Sequence, residues 1–314
     1  MQGNQGRARR PQRSKGMASN TEVMTMRGVD APRREQSGQH EAPTLVIEPA
    51  GRFPRIDLRE LWAYRGLLFF LMWRDIKVRY AQTVLGAAWA IVQPVLTTLV
   101  FTVVFGRLAR IPSDGVPYPV FALAGLVPWT YFSSALTGSS NSLTTNTNLI
   151  TKVYFPRLVI PVAPVLAGLV DFAVALAMLL AVMLAYGIVP TAAALVLVPV
   201  LALSMVLTAT GIGCWLSALN IRYRDVRYLV PFLLQVWMYA SPVVYPASLV
   251  PPRYRTLYAL NPMVGVIEGF RSALLGTRGV AWPVLALSLG VGAALLASGA
   301  LYFRKTERVF ADVA

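Results

Sequence analysis

The stretch Val159–Gly187, VIPVAPVLAGLVDFAVALAMLLAVMLAYG, decides the class of this chain, because its one charge, Asp171, stands among apolar and small residues. As a helix it rises roughly 40 Å, more than the ~30 Å hydrocarbon core of a bilayer. Five further runs of this kind flank it, near Val84–Gly106, Val120–Thr137, Ala192–Leu219, Leu229–Tyr245 and Ala281–Phe303. Each is about as long as the ~20 residues that a crossing needs. The chain of 314 residues is 56% apolar and 14% charged, against about 25% charged in a soluble domain. The expected fold is an all-α integral membrane protein with six transmembrane helices.

A net charge of +15 raises nucleic acid as a partner, but 15 of the 29 Lys and Arg precede Val84, and the apolar body lacks a basic-aromatic binding pattern. No nucleic acid is expected. The charge reads better as orientation. With both termini inside, 23 Lys and Arg fall on cytoplasmic segments and 6 outside. Counting only Arg65, Arg74, Lys77 and Arg79 of the amino-terminal region leaves 12 against 6, so the amino and carboxy termini are both expected in the cytoplasm. Gly138–Leu158 and Asn220–Tyr228 are then cytoplasmic loops. The first holds NSLTTNTNLITKVYFPRLVIP (Asn141–Pro161), polar at its start and basic at Lys152 and Arg157, which suits a contact surface for another protein.

Residues 1–55 are rich in Arg, Gln, Gly, Ser and Pro without apolar periodicity and are expected to be a disordered basic cytoplasmic tail, not a secretory signal. The membrane domain is expected over 56–305, followed by a short cytoplasmic tail over 306–314. Within Asp57–Tyr80, DLRELWAYRGLLFFLMWRDIKVRY, the apolar part spans only about 20 Å and is interrupted by Arg65. Its aromatics Trp62, Tyr64, Phe69, Phe70 and Trp73, set among Arg59, Arg74, Lys77 and Arg79, predict an amphipathic helix in contact with lipid headgroups.

Between the fifth and sixth spans, Leu249–Leu260 and Pro262–Leu275 are expected as a re-entrant helix pair. Asn261 is a cap residue, Pro262 stands at the first helical position and Gly276 lies just past the end. Glu268 and Arg271 share one face of that helix. The Gly265-x-x-x-Gly269 spacing carries little weight by itself.

No G-x-x-x-x-G-K-[ST] loop, H-E-x-x-H or Cys/His cluster occurs, and the chain holds one cysteine, Cys214, and one histidine, His40. No catalytic residue, metal or cofactor is expected in this chain. Beyond Val84 the carboxylates are Asp114, Asp171, Asp225, Glu268, Glu307 and Asp312, scattered over both sides. That scatter disfavours a membrane-embedded glycosyl- or acyltransferase, the alternative from another class. Asp171 finds no Lys or Arg within the spans, so its expected partners are Ser204, Thr208, Thr210, Gln93 or Gln235. Trp89, Gln93, Thr97 and Phe101 recur along the first span, and Tyr228, Phe232, Gln235 and Tyr239 along the fifth. Such faces suit a passage in which sugars slide on rings and exchange hydrogen bonds with amides, and they also suit helix packing.

The order of elements, together with WRDIKVRY (Trp73–Tyr80), LGAAWAIVQP (Leu85–Pro94), KVYFPR (Lys152–Arg157), LNIRYRDV (Leu219–Val226), SPVVYP (Ser241–Pro246) and Asn261-Pro262, resembles the permease subunit of ABC type-2 polysaccharide exporters. That family moves O-antigen, teichoic acid or capsular chains. The resemblance covers about residues 55–305. It implies a homodimer in the bacterial inner membrane with two copies of a separate ATPase subunit, which binds the ATP and Mg. It also implies a lipid-linked polysaccharide as substrate. By the same resemblance Arg74, Lys77, Asn141, Lys152, Tyr154, Phe155 and Arg157 couple to the ATPase. The faces of the first and fifth spans line the channel, and Asn261, Glu268 and Arg271 belong to an outer gate. A type-2 exporter of a small lipid or drug is the nearer alternative.

Overall fold

The computed structural model describes residues 58–81, 88–152, 155–276 and 279–307. The expected tail over 1–55, Tyr154 and residues 308–314 lie outside them, as does the side chain of Trp89. Among the described residues all regular structure is helical. Two helices, α1 (Leu58–Ala63) and α2 (Arg65–Tyr80), precede α3 (Trp89–Phe101), which continues as a π-helical turn over Thr102–Leu108. Then follow α4 (Tyr118–Thr145), α5 (Thr147–Lys152), α6 (Val159–Ala185), α7 (Ala194–Arg222) and α8 (Val226–Tyr239). The last elements are α9 (Arg255–Ala259), α10 (Pro262–Leu275) and α11 (Trp282–Thr306). Among the described residues five stretches are long and apolar enough to cross a membrane: Ile91–Leu108, Tyr118–Thr145, Val159–Ala185, Ala194–Arg222 and Trp282–Thr306.

The hub is α4, buried along most of its length from Tyr118 to Leu143. Around it pack α3, α6, α7, α8 and α10. α7 and α11 cross backbone to backbone. A Cβ on Gly211 would strike the main chain of Leu295 and Leu296, and one on Gly299 the main chain of Gly211. Small residues let helices approach this closely where lipid offers no hydrophobic drive. The Gly265-x-x-x-Gly269 spacing also proves to matter. Gly265 lies against Ser288 and Val284 of α11, and Gly269 against Leu201 of α7, so α10 wedges between those two helices.

Three features depart from the sequence expectation. Much of the Gly138–Leu158 loop is helical, because α4 runs on to Thr145. Its hydroxyls bond back to carbonyls three or four residues earlier, as Thr144 Oγ1 and Thr145 Oγ1 do to Asn141 O at 2.8 and 2.9 Å. The fifth apolar run is also broken. α8 is a 14-residue helix ending at Tyr239, too short at about 21 Å to span alone. Pro242 lacks an N–H and turns Ser241 away from helical geometry. The expected helix over Leu249–Leu260 is likewise reduced to two 3-10 turns and the five-residue α9, interrupted by Pro251 and Pro252. By contrast α10 starts at its Asn261 cap, whose Oδ1 accepts from Met263 N at 3.0 Å, and stops at Gly276 with φ 64°.

Because the α7–α11 crossing has no room for a side chain, Gly211→Leu is expected to destabilise the fold by roughly 1–3 kcal/mol, lowering the melting temperature of purified protein. Gly66→Ala, at a site open on all sides, should leave it unchanged or slightly raised.

Candidate functional site: a cavity between two clamped ends

A cavity of about 730 Å³ opens beside α4, between α3, α6 and α8. Its lining includes Gln93, Trp129, Thr130, Tyr131, Ser133, Ser134, Thr137, Asp171 and Gln235. Gln93 and Gln235, expected on separate faces of two spans, thus meet one space. The wall contributed by α4 was not anticipated from sequence, since its hydroxyls and rings sit within an otherwise unremarkable apolar run. Of the other expected lining residues, Tyr228, Phe232 and Tyr239 are exposed on α8 at 72%, 60% and 52%. Thr97 bonds back to Gln93 O at 2.9 Å. Phe101 packs with Phe105 against Tyr118, Phe121 and Ala122 of α4 and so faces the bundle.

Asp171 reaches this cavity with partners that differ from the expected ones. It forms an ion pair with Arg79, and Tyr80 donates its hydroxyl to the same carboxylate. Both come from the end of α2, which packs along α6 by seating Leu71 on Val159 and Ala163. A cation outside the spans by sequence is thereby folded back to the middle of α6. Thr208 instead lies at the α7–α11 seam, where a Cβ on Gly292 would meet its Oγ1 at 2.7 Å, and that hydroxyl donates to Ser204 O at 2.8 Å. Gln93 and Gln235 share the cavity with the carboxylate.

One end of the bundle is clamped by Arg271, a cation only 3% exposed. Its Nη2 donates to Val243 O at 2.7 Å, and its Nη1 to Tyr245 O at 3.3 Å and to Glu268 Oε1 at 3.2 Å. The guanidinium lies over the Phe121 ring at 3.7 Å. Burial holds it below its ordinary pKa, opposed by the neighbouring Glu268 carboxylate. Tyr118 donates to Val244 O at 2.8 Å, and Asn261 Nδ2 to Ala240 O at 3.2 Å and Ser241 Oγ at 2.9 Å. Trp237 Nε1 donates to Asn261 Oδ1 at 2.9 Å. The carbonyls freed by the broken fifth run are therefore taken by side chains, the condition under which non-helical backbone is tolerated away from water. Gly125 makes room, since a Cβ there would lie 2.7 Å from Val243 O and 2.8 Å from Arg271 Nη2.

At the opposite end Leu143, Ile150, Phe155, Leu158, Ile160, Cys214, Ala218 and Phe303 form one cluster. The residues expected to couple to a partner divide here. Lys77 and Lys152 are exposed. Arg74 donates to Asn146 Oδ1 at 2.8 Å and pairs with Asp75. Asn141 accepts from Asn220 Nδ2 at 3.0 Å, and Phe155 is buried. Arg157 is tied to the end of α11, its Nη1 donating to Glu307 O at 2.7 Å.

A family profile described as ABC-2 type transporter matches residues 66–275. The chain belongs to the ABC-2 type transporter family. An O-antigen export system permease of Myxococcus xanthus is 34% identical to this ABC-2 chain over 81% of it and 98% of the relative. A permease of the same description from Klebsiella pneumoniae is 28% identical, over 79% and 94%. A polysialic acid transport protein of Escherichia coli is 28% identical, over 65% and 80%. With several long apolar helices, this ABC-2 member is a multi-pass integral membrane protein.

Breaking the clamp leaves the half-buried Glu268 carboxylate without its cation and the Val243 and Tyr245 carbonyls without the donors that Arg271 supplies. Arg271→Ala is expected to cost roughly 3–5 kcal/mol. Arg271→Met combined with Glu268→Gln should recover part of that, because the carboxylate is then neutralised. Melting of the purified variants measures both.

Proposed function

We propose that the chain is the membrane-spanning permease subunit of an ATP-driven exporter of a lipid-linked polysaccharide of the O-antigen, teichoic-acid or capsule type, working in the bacterial inner membrane. The observation that carries this reading is the cavity that joins the amides of Gln93 and Gln235 to the rings of Trp129 and Tyr131. It lies beside a helix that exposes Tyr228, Phe232 and Tyr239. Rings offer flat faces to sugars, and amides and hydroxyls exchange hydrogen bonds without charge trapping. The names of the relatives from Myxococcus, Klebsiella and Escherichia point to the same class of cargo.

Two copies of the chain pair, each with one copy of a separate ATPase subunit that binds ATP and Mg. Residues 226–246 make the fifth of six crossings as helix plus irregular chain, α9 and α10 form the re-entrant gate, and both termini are cytoplasmic. Asn261, Glu268 and Arg271 serve that gate by holding the chain before it rigid. Lys77 and Lys152 are the coupling residues best placed to touch the ATPase. Arg74, Asn141, Phe155 and Arg157 shape the surface from behind.

Co-purification with the candidate ATPase and export by the reconstituted complex test the reading. Lys152→Glu should weaken ATPase capture several-fold without lowering the melting temperature, whereas Arg157→Glu should lower it by breaking the tie to Glu307. Wild-type protein that captures no ATPase and shows transferase activity alone would refute the transport reading. For topology, cysteine at Thr145 in a Cys214→Ser background should resist a membrane-impermeant thiol reagent in intact cells, and cysteine at Thr256 should react.

A further inference from the structure

The end of α2 is attached to the bundle in two chemically different ways. Its lower part is held by apolar packing of Leu71 on Val159 and Ala163, and by Arg74 Nη1 donating to Asn146 Oδ1 at 2.8 Å. At its tip a carboxylate takes two residues at once. Asp171 Oδ2 takes Arg79 and Oδ1 takes Tyr80, so both oxygens are committed to two consecutive residues. Arg79, Tyr80 and Asp171 all line the cavity that also holds Gln93 and Gln235. On the outward side of α2, Phe69, Phe70, Trp73 and Lys77 are exposed. The helix is thus an arm with an accessible flank and a tip inside the cavity wall.

A carboxylate in the middle of a membrane-spanning helix is costly without partners. The tip of α2 therefore has two discrete options: to move together with Asp171, or to leave it and expose an unpaired charge to the cavity. Discrete arrangements of this kind are what carry coupling between distant surfaces. We infer that Asp171 is a positioning residue of the transport cycle, acting through Arg79 and Tyr80 so that displacement of the α2 arm by the ATPase reshapes the cavity wall past which the glycan moves. This rests on the transport reading proposed above.

The test uses the chain with its ATPase in proteoliposomes, in a Cys214→Ser background. Asp171→Asn and Arg79→Gln are each expected to keep ATPase capture and ATP hydrolysis within about twofold of wild type while export falls about tenfold, within the ~5- to 150-fold that site-to-site coupling carries. The charge swap Arg79→Asp with Asp171→Arg should restore most of the export. Arg79→Cys with Asp171→Cys, which lacks the pair and is itself expected at the lowered export of the single variants, should lose that remaining export when joined by a disulfide-containing bifunctional thiol reagent while ATP is still hydrolysed, and reductive release should return it to the lowered level. Wild-type export by the single variants, export unaffected by the link, or failure of the two cysteines to be linked would each overturn the inference. So would parallel loss of melting temperature, capture and export without rescue by the swap. An exporting wild-type complex with any of these results leaves the transport reading standing, whereas a wild type that neither captures the ATPase nor exports removes both.

Discussion

Main chain that is not helical cannot leave its polar groups bare in an apolar surrounding, and the architecture of this transporter turns on how that demand is met between Ala240 and Pro246. Arg271 supplies donors to Val243 and Tyr245, Tyr118 to Val244, and Asn261 to Ala240. Those donors come from α4, from the start of α10 and from its last turns, so all three must sit close to the irregular segment. That closeness accounts for the absence of a side chain at Gly125, for the burial of α10 between α7 and α11, and for Phe121 lying flat against a guanidinium. A buried arginine would otherwise be unfavourable; here the carbonyls, the carboxylate of Glu268 and the ring replace its water.

The opposite end is held differently, by apolar contact. Phe155, Leu158 and Ile160 close over Cys214 and Phe303, and Arg157 pins the end of α11 through Glu307. A rigid end made by hydrogen bonds and a packed end made by side chains leave the cavity between them, with α2 reaching its wall. α4 links the two, since its first turns touch Arg271 and its last turns carry Asn141 and Asn146.

Much of the site was legible in the residue order. Helix α10 was marked at both ends by Asn261 and Gly276, because cap chemistry is local. Gln93 and Gln235 could be read onto faces from their spacing. Other features were invisible for stated physical reasons. The fifth run reads as continuous in hydropathy, while Pro242 breaks it as backbone. The polar residues of Asn141–Thr145 read as loop, yet their hydroxyls satisfy the helix they stand on. The partner of Asp171 lies 92 positions earlier in the chain, outside every apolar run, so no window along the sequence joins it to α6.

Composition and periodicity by themselves determined that this chain is helical and membrane-embedded, because hydrocarbon thickness sets a length that apolar runs must match. Only the tertiary structure decided which partners the distant charged side chains meet: Arg79 the carboxylate of Asp171 at the cavity, Arg271 the carbonyls of Val243 and Tyr245, and Arg157 the main-chain carbonyl of Glu307. The reason is that burial of a polar group depends on what surrounds it in space, and those surroundings come from helices that the chain order keeps apart.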